Sequence, residues 1–199
     1  RGLGDVYKRQ ISAMGFVVGG TMVPIMLFLQ DVQGMNAQQA AFMLIPMAVI
    51  SGTLAPFVGR LADRIHPRVL SMIGFGFMTA AALALAAIMR DGVGRWWMLL
   101  PAVLLGFGNG FVWSPNSATS MRDLPIQSLG AASGVYNTTR QIGSVLGSAA
   151  IGGVMQMGVA NSGYANSMGN SMVLCVIVLI FGLIAVSRFT ERTDTAAAD

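Results

Sequence analysis

Charged residues are scarce in this sequence: Asp, Glu, Lys and Arg make up 10% of its 199 residues, against 54% hydrophobic. Soluble domains carry about 25% charged residues, so the deficit, with a mean hydropathy of +0.66, excludes that class and leaves the bilayer as solvent. Cysteine occurs once, as Cys175 within an apolar run, which excludes a disulfide framework and a thiolate metal site. It reads as a small buried apolar residue. Histidine also occurs once, as His66, and neither His-Glu-x-x-His nor Gly-x-Ser-x-Gly is present. Metal chemistry or hydrolysis inside a membrane needs clustered His, Cys or carboxylates, so neither an enzyme nor a cofactor is expected. The isoelectric point near 10.0 does not indicate nucleic acid, because the arginines stand at the ends of apolar runs and form no basic stripe.

What is present is organised around Gly59-Arg60-Leu61-Ala62-Asp63-Arg64-Ile65-His66-Pro67-Arg68. Val32 to Val58 and Val69 to Met89, on either side, contain no charge. A charged decapeptide between two apolar runs of membrane length is a hairpin turn in a polytopic membrane protein. The chain divides into six spans. Ile11 to Gln30 is long enough, at about 1.5 Å per residue, to cross about 30 Å of hydrocarbon. Asp31 to Gln38 turns the chain, and Gln39 to Val58 returns as the second span. Val69 to Met89 is the third, ended by the glycines and charges of residues 90–95. Trp96 and Trp97 open the fourth at headgroup level, and it runs to Ser120. After a turn at Met121 to Gln127, the fifth covers Ser128 to Met157. Residues 158–170, small, polar and glycine-rich, read as an exposed loop before the sixth span, Ser171 to Ser187.

Residues 1–10 lack the apolarity of the spans and resemble translated adapter sequence. They are expected to stand outside a bundle formed by residues 11–189, with 190–199 as a polar tail; they form neither a signal nor a transit peptide. Leaving aside the first ten residues and Arg140, one side holds Arg60, Arg64, Arg68, Arg122, Arg188 and Arg192, the other only Arg90 and Arg95. Six against two places the Gly59 to Arg68 turn and both chain ends in the cytoplasm.

The fifth span carries small residues four apart: Gly130 and Gly134, Gly143 and Gly147, Ser148 and Gly152. Such spacing forms a groove for close helix approach, either as static packing or as a moving interface. The fourth holds Gly106, Gly108, Asn109, Gly110, Trp113, Pro115 and Asn116, the pattern of a bent helix beside a wet cavity. The first repeats this with Gly15, Gly19, Gly20, Thr21 and Pro24. The third and sixth spans are poorer in such groups and read as lipid-facing. The methionines read as lipid-facing or packing residues, with some in the first and fourth spans able to form an adaptable cavity wall.

Gly59-Arg60-Leu61-Ala62-Asp63-Arg64 with Pro67-Arg68 resembles the cytoplasmic loop signature of the major facilitator superfamily, in its second-half copy, departing at His66 where the family has glycine. Gly130 to Asn137 with Arg140-Gln141-Ile142-Gly143 and Gly147 is similar to the penultimate helix of the EmrB/QacA-like fourteen-span drug:proton antiporters, and Gly106 to Asn116 to the helix before it. The resemblance covers Ile11 to Phe189. It implies an all-α membrane protein whose six helices form the C-terminal bundle. Helices one and four would line a substrate cavity, two and five would pack on the other bundle, and three and six would lie outside.

The resemblance implies a proton-coupled multidrug exporter of a bacterial plasma membrane, whose partners are the N-terminal helices, lipid, protons and a small amphipathic or cationic substrate. A metabolite uniporter or symporter and a non-transporting scaffold remain as alternatives. Gly59, Asp63, Arg64 and Arg68 form either a gating latch or a solvated, orienting turn, and His66 is a loop residue. Thr21, Met22, Asn109, Trp113 and Asn116 are the cavity candidates. Gly130, Gly134, Asn137, Arg140, Gln141, Gly143 and Gly147 mark the interface helix. Arg140, a charge well inside a span, either pairs with another group or snorkels to the surface. No Asp or Glu lies within these spans, so a proton-coupling carboxylate is expected elsewhere in the protein.

The topology has a direct test. In a Cys175→Ser background, a membrane-impermeant maleimide should label Val93→Cys in intact cells and label His66→Cys only after lysis. The reverse pattern overturns the orientation.

Overall fold

The computed structural model describes residues 2–62, 64–65, 67–121 and 129–187, with side chains for 11–62, 64–65, 69–113 and 130–184. The described elements are all helical: α1 (Gly2–Leu27), α2 (Ala37–Met43), α3 (Ile45–Ala62), α4 (Pro67–Ile88), α5 (Leu99–Met121), α6 (Leu129–Ser162) and α7 (Tyr164–Ser187). Six stretches are long and apolar enough to cross a membrane: Ile11–Val32, Ile45–Ala62, Val69–Ile88, Arg95–Trp113, Gly130–Ser162 and Tyr164–Ile184. The all-α, six-span expectation holds, and several boundaries move. The backbone of residues 2–10 is helical and continuous with the first span.

Near the end of α1, Pro24 lacks the N–H that would bond the Gly20 carbonyl, and a π-helical turn follows at Phe28–Val32. The second span does not begin at Gln39. Asn36 caps the short α2, accepting from Gln39 N–H at 2.8 Å while the Gln39 side chain accepts from Asn36 N–H at 3.2 Å. The spanning helix α3 starts after Leu44. The decapeptide is also mostly helical: Gly59 and Arg60 lie inside α3, and Pro67 opens α4, where its missing N–H leaves no donor unsatisfied. The turn shrinks to residues 63–66, of which Asp63 and His66 lie outside the described residues, as do 122–128 and the tail from 188.

The loop expected at residues 158–170 is helix instead. α6 continues to Ser162, Gly163 turns the chain with φ +79°, and α7 begins at Tyr164. The cause is packing: Ala165, Ser167 and Met168 are buried, and Gly169 lies against the Ala86 and Met89 carbonyls of α4. That contact holds two polar-looking turns in the bundle. At this same end, Tyr164 Oη–H donates to Asp31 Oδ2 at 2.8 Å and Gln33 Nε2–H to the Val93 carbonyl at 2.8 Å. Trp96 and Trp97 are exposed there, as an interfacial belt requires.

The tightest crossing is between α1 and α6. A Cβ on Gly15 would run into the Arg140 carbonyl, one on Gly143 into the Ser12 carbonyl, and one on Gly147 into the Phe16 carbonyl. The two backbones touch, as small residues four apart allow. Gly130, Gly134 and Gly152 take no part; nothing lies within 4 Å of a Cβ at any of them. The predicted groove therefore narrows to Gly143, Ser144 and Gly147, because these residues lie on the face of α6 that meets α1, whereas Gly130, Gly134 and Gly152 lie round the helix from it. α3 seats Met47 and Ile50 against Gly106 of α5, and α4 seats Gly74 against Gly108.

Each of α4 and α7 has two faces. Phe75, Met78 and Leu85 of α4 and Met168, Met172 and Leu179 of α7 point inward, while Val69, Ile73 and Leu83, and Val173, Ile177 and Phe181, form outward stripes. Lipid-facing is thus half of their role. Several methionines take the packing role: Met14, Met78, Met89, Met168 and Met172 are fully buried core residues. Burial is uneven across the bundle. Only 6% of the α3 span and 22% of the α6 span are buried, against 44% for α4 and α7 and 50% for α1 and α5.

The crossing generates a stability prediction. Gly147→Ala forces backbones apart and should destabilise the bundle by about 1–3 kcal/mol, as overpacking does. Gly76→Ala, on the open face of α4 with nothing within 4 Å, should not lower stability, because alanine is the better helix former. Thermal unfolding in detergent checks the pair. Equal midpoints would contradict the close crossing.

Candidate functional site

Among the expected site residues, the structure brings Asn109, Trp113 and Arg140 together. Asn109 and Trp113 are one turn apart on α5, and Trp113 Nε1–H donates to Asn109 Oδ1 at 2.9 Å, which holds the indole in one orientation. Asn109 is buried, so its carbonyl oxygen has a partner where it would otherwise be costly. The Arg140 guanidinium carbon stands 5.4 Å from the centroid of that ring. A cation over an indole face is attracted by the ring quadrupole, by about 0.5–2 kcal/mol depending on desolvation. Arg140 therefore reaches across from α6 to α5.

The position of Arg140 follows from the helix crossing. Its carbonyl abuts Gly15 of α1, so the backbone is held on one side while the side chain leaves toward α5. Tyr136 lies one turn earlier on the same face of α6, within electrostatic reach of the Arg140 charge. The Tyr136 hydroxyl and Arg140 Nε are both buried without a hydrogen-bond partner among the described residues. Sequence reasoning had not placed Tyr136 in the site; the signal available was its i, i+4 spacing to Arg140.

Other candidates separate from this group. Thr21, expected beside an open cavity, is buried: its hydroxyl donates to the Val17 carbonyl and lies 3.9 Å from Cys175 Sγ on α7. It faces the interior because the Gly19 and Gly20 side of α1 is occupied by α6. Met22, next to it, is half-buried. The side chain of Asn116 lies outside the described residues. Asn137 and Gln141 are exposed on α6, where with Thr138, Ile142, Val145 and Leu146 they line a shallow depression of about 470 Å³. Asn137 Nδ2–H donates to the Ser133 carbonyl at 3.0 Å. Gly130 and Gly134 continue this open face.

At the arginine-rich end, Phe57, Arg60, Leu61 and Arg64 surround a second depression of about 400 Å³. Arg60 and Arg64 are both exposed beside it. Arg68 belongs to the first turn of α4, and its side chain lies outside the described set. Sequence reasoning also missed the Asp31 to Tyr164 hydrogen bond at the opposite end, because the two residues are far apart in the chain.

Comparison with known proteins places these features in a family. The chain is 33% identical to the uncharacterized MFS-type transporter Rv1250 of Mycobacterium tuberculosis over 95% of its own length and 37% of that protein. It is 29% identical to the multidrug resistance protein Stp of the same species over 73% of its length and 27% of that protein. To the riboflavin transporter RibZ of Clostridioides difficile it is 23% identical, over 84% and 38%. The chain thus spans little more than a third of these relatives at most. The sequence profile of the Major Facilitator Superfamily matches residues 8–148, well over half of the chain, and with the 33% identity to an MFS-type transporter over 95% of its length the conclusion is plain: the chain belongs to the major facilitator superfamily.

Proposed function

We propose that this chain is the C-terminal bundle of a secondary transporter that works by alternating access, and that the intact protein is a proton-coupled exporter of amphipathic or cationic compounds. The observation that carries the reading is the unequal burial of the spans. α3 and α6 are the least buried of the spans, and the open α6 face, away from α1, carries Asn137, Thr138 and Gln141. A helix face bearing amides is unfavourable against lipid. A second bundle docked there covers it and completes a cavity with the α5 residues Asn109 and Trp113, as two-bundle transporters require.

Export and drug substrates are supported by the likeness to the multidrug resistance protein Stp and by the resemblance of α6 to the EmrB/QacA-like fourteen-span branch. In this reading the turn after α3 lies in the cytoplasm of a bacterial cell, where Asp63, Arg64 and Arg68 latch the two bundles in one state. A metabolite substrate is the second reading, favoured by the likeness to the riboflavin transporter RibZ. In both, the coupling carboxylate lies beyond the described spans.

Proteoliposomes provide the test. The intact protein should move a fluorescent organic cation against its gradient when a proton gradient is imposed, and residues 11–199 alone should move none. Asp63→Asn should slow turnover about tenfold, equivalent to about 1.4 kcal/mol on the barrier, with substrate affinity unchanged. Transport of riboflavin but not of organic cations favours the second reading. Transport by the isolated bundle defeats both.

A further inference from the structure

We propose that Tyr136 and Arg140 form a carboxylate-binding site floored by the Trp113 ring. The inference rests on the transporter reading, since a carboxylate reaches the site either from an Asp or Glu of the protein outside the described side chains or from an acidic group on a transported molecule.

The chemistry begins with the cost of a guanidinium at membrane depth. Arg140 lies roughly 17 Å along α6 from Leu129, at about 1.5 Å per residue. The Trp113 ring lies 5.4 Å from its Cζ, and attraction to the ring face offsets only part of the desolvation of a half-buried charge. The ring's own N–H is already given to Asn109, so the floor is fixed before any ligand arrives. Two buried donors, the Arg140 Nε–H and the Tyr136 hydroxyl, have no acceptor among the described residues. A buried donor without an acceptor is destabilising.

These donors share one face of α6, one turn apart, and one of them is part of a planar cation. A water molecule would satisfy a donor and leave the charge uncompensated. A carboxylate supplies two coplanar oxygens and the opposite charge, the acceptor that a guanidinium fork matches. The described acidic side chains are Asp31 and Asp91, both at the opposite end of the bundle, and Asp31 already accepts from Tyr164. The acceptor therefore comes from beyond the described side chains. Arg140 holds the charge, Tyr136 selects an oxygen through its hydroxyl, and Trp113 positions the cation.

Thermal unfolding of the intact protein in detergent tests the site, with benzoate as probe and benzamide as its uncharged control, on Arg140→Met, Arg140→Lys and Tyr136→Phe. If a substrate brings the acid, benzoate raises Tm and benzamide does not. That rise vanishes in Arg140→Met, falls in Arg140→Lys and is at least halved in Tyr136→Phe. If the protein supplies the acid, benzoate has no effect, Arg140→Met lowers Tm, and amide replacement of one particular Asp or Glu is non-additive with Arg140→Met. The site is overturned if Arg140→Met matches the wild type in Tm and benzoate response. It is equally overturned if benzoate is inert and every acidic position is additive. Should Arg140→Met fail to fold, Tyr136→Phe decides, and unchanged Tm with unchanged benzoate response overturns the proposal. None of these readouts passes through transport: a protein that moves no substrate yet shows the binding pattern refutes the transporter reading alone.

Discussion

Contact between the backbones of α1 and α6 is the constraint on which the rest of the bundle depends. Lipid tails are as apolar as the side chains they meet, so helices in a bilayer gain little from hiding apolar surface and must associate through dispersion at short range. Gly15 and Gly19 on one helix and Gly143 and Gly147 on the other remove the side chains that would keep the axes apart. Once that crossing is set, Thr21 must turn toward Cys175 of α7, and Arg140 must leave α6 toward α5. A core residue and a charged residue are both placed by the same four glycines.

The remaining contacts extend this logic. α5 is gripped on two sides, by α3 at Gly106 and Gly110 and by α4 at Gly74 and Gly108. Phe77 of α4 stacks on Phe107 and Phe111 of α5, with centroids 5.2 and 6.2 Å apart, which reinforces that pair through offset aromatic contact. Hydrogen bonds between Asp31 and Tyr164 and between Gln33 and Val93 join α1, α7 and the α4–α5 connection at one end. The opposite end, with Arg60 and Arg64, presents exposed charge and a shallow depression.

Arg140 connects packing to function. A guanidinium between two spans is expensive unless its surroundings answer for it, and here the answer within the described residues is an indole face and no anion. The combination of a held backbone, an oriented ring and unused donors is a prepared binding geometry, and preparation of that kind lowers the ordering cost when a partner arrives.

The class, the number of spans and the positions of the glycines were determined by the sequence alone, because a bilayer imposes one requirement, a long uncharged helix with its backbone satisfied, and composition reveals it directly. Arg140 was legible for the same reason: a charge in an apolar run is conspicuous. The helical identity of residues 158–170 was not, since their small polar side chains have no local preference that distinguishes a loop from a helix whose Gly169 packs on α4. Nor could the sequence tell which face of α6 would meet α1: Gly134 and Gly143, nine residues apart, lie on opposite faces, and only Gly143 packs on α1. Tertiary structure decided which stripe met a partner, that Thr21 faced inward, and that Trp113, Tyr136 and Arg140 shared one place. Those facts depend on the angle at which helices cross, a property of pairs of helices that no single helix carries in its own pattern.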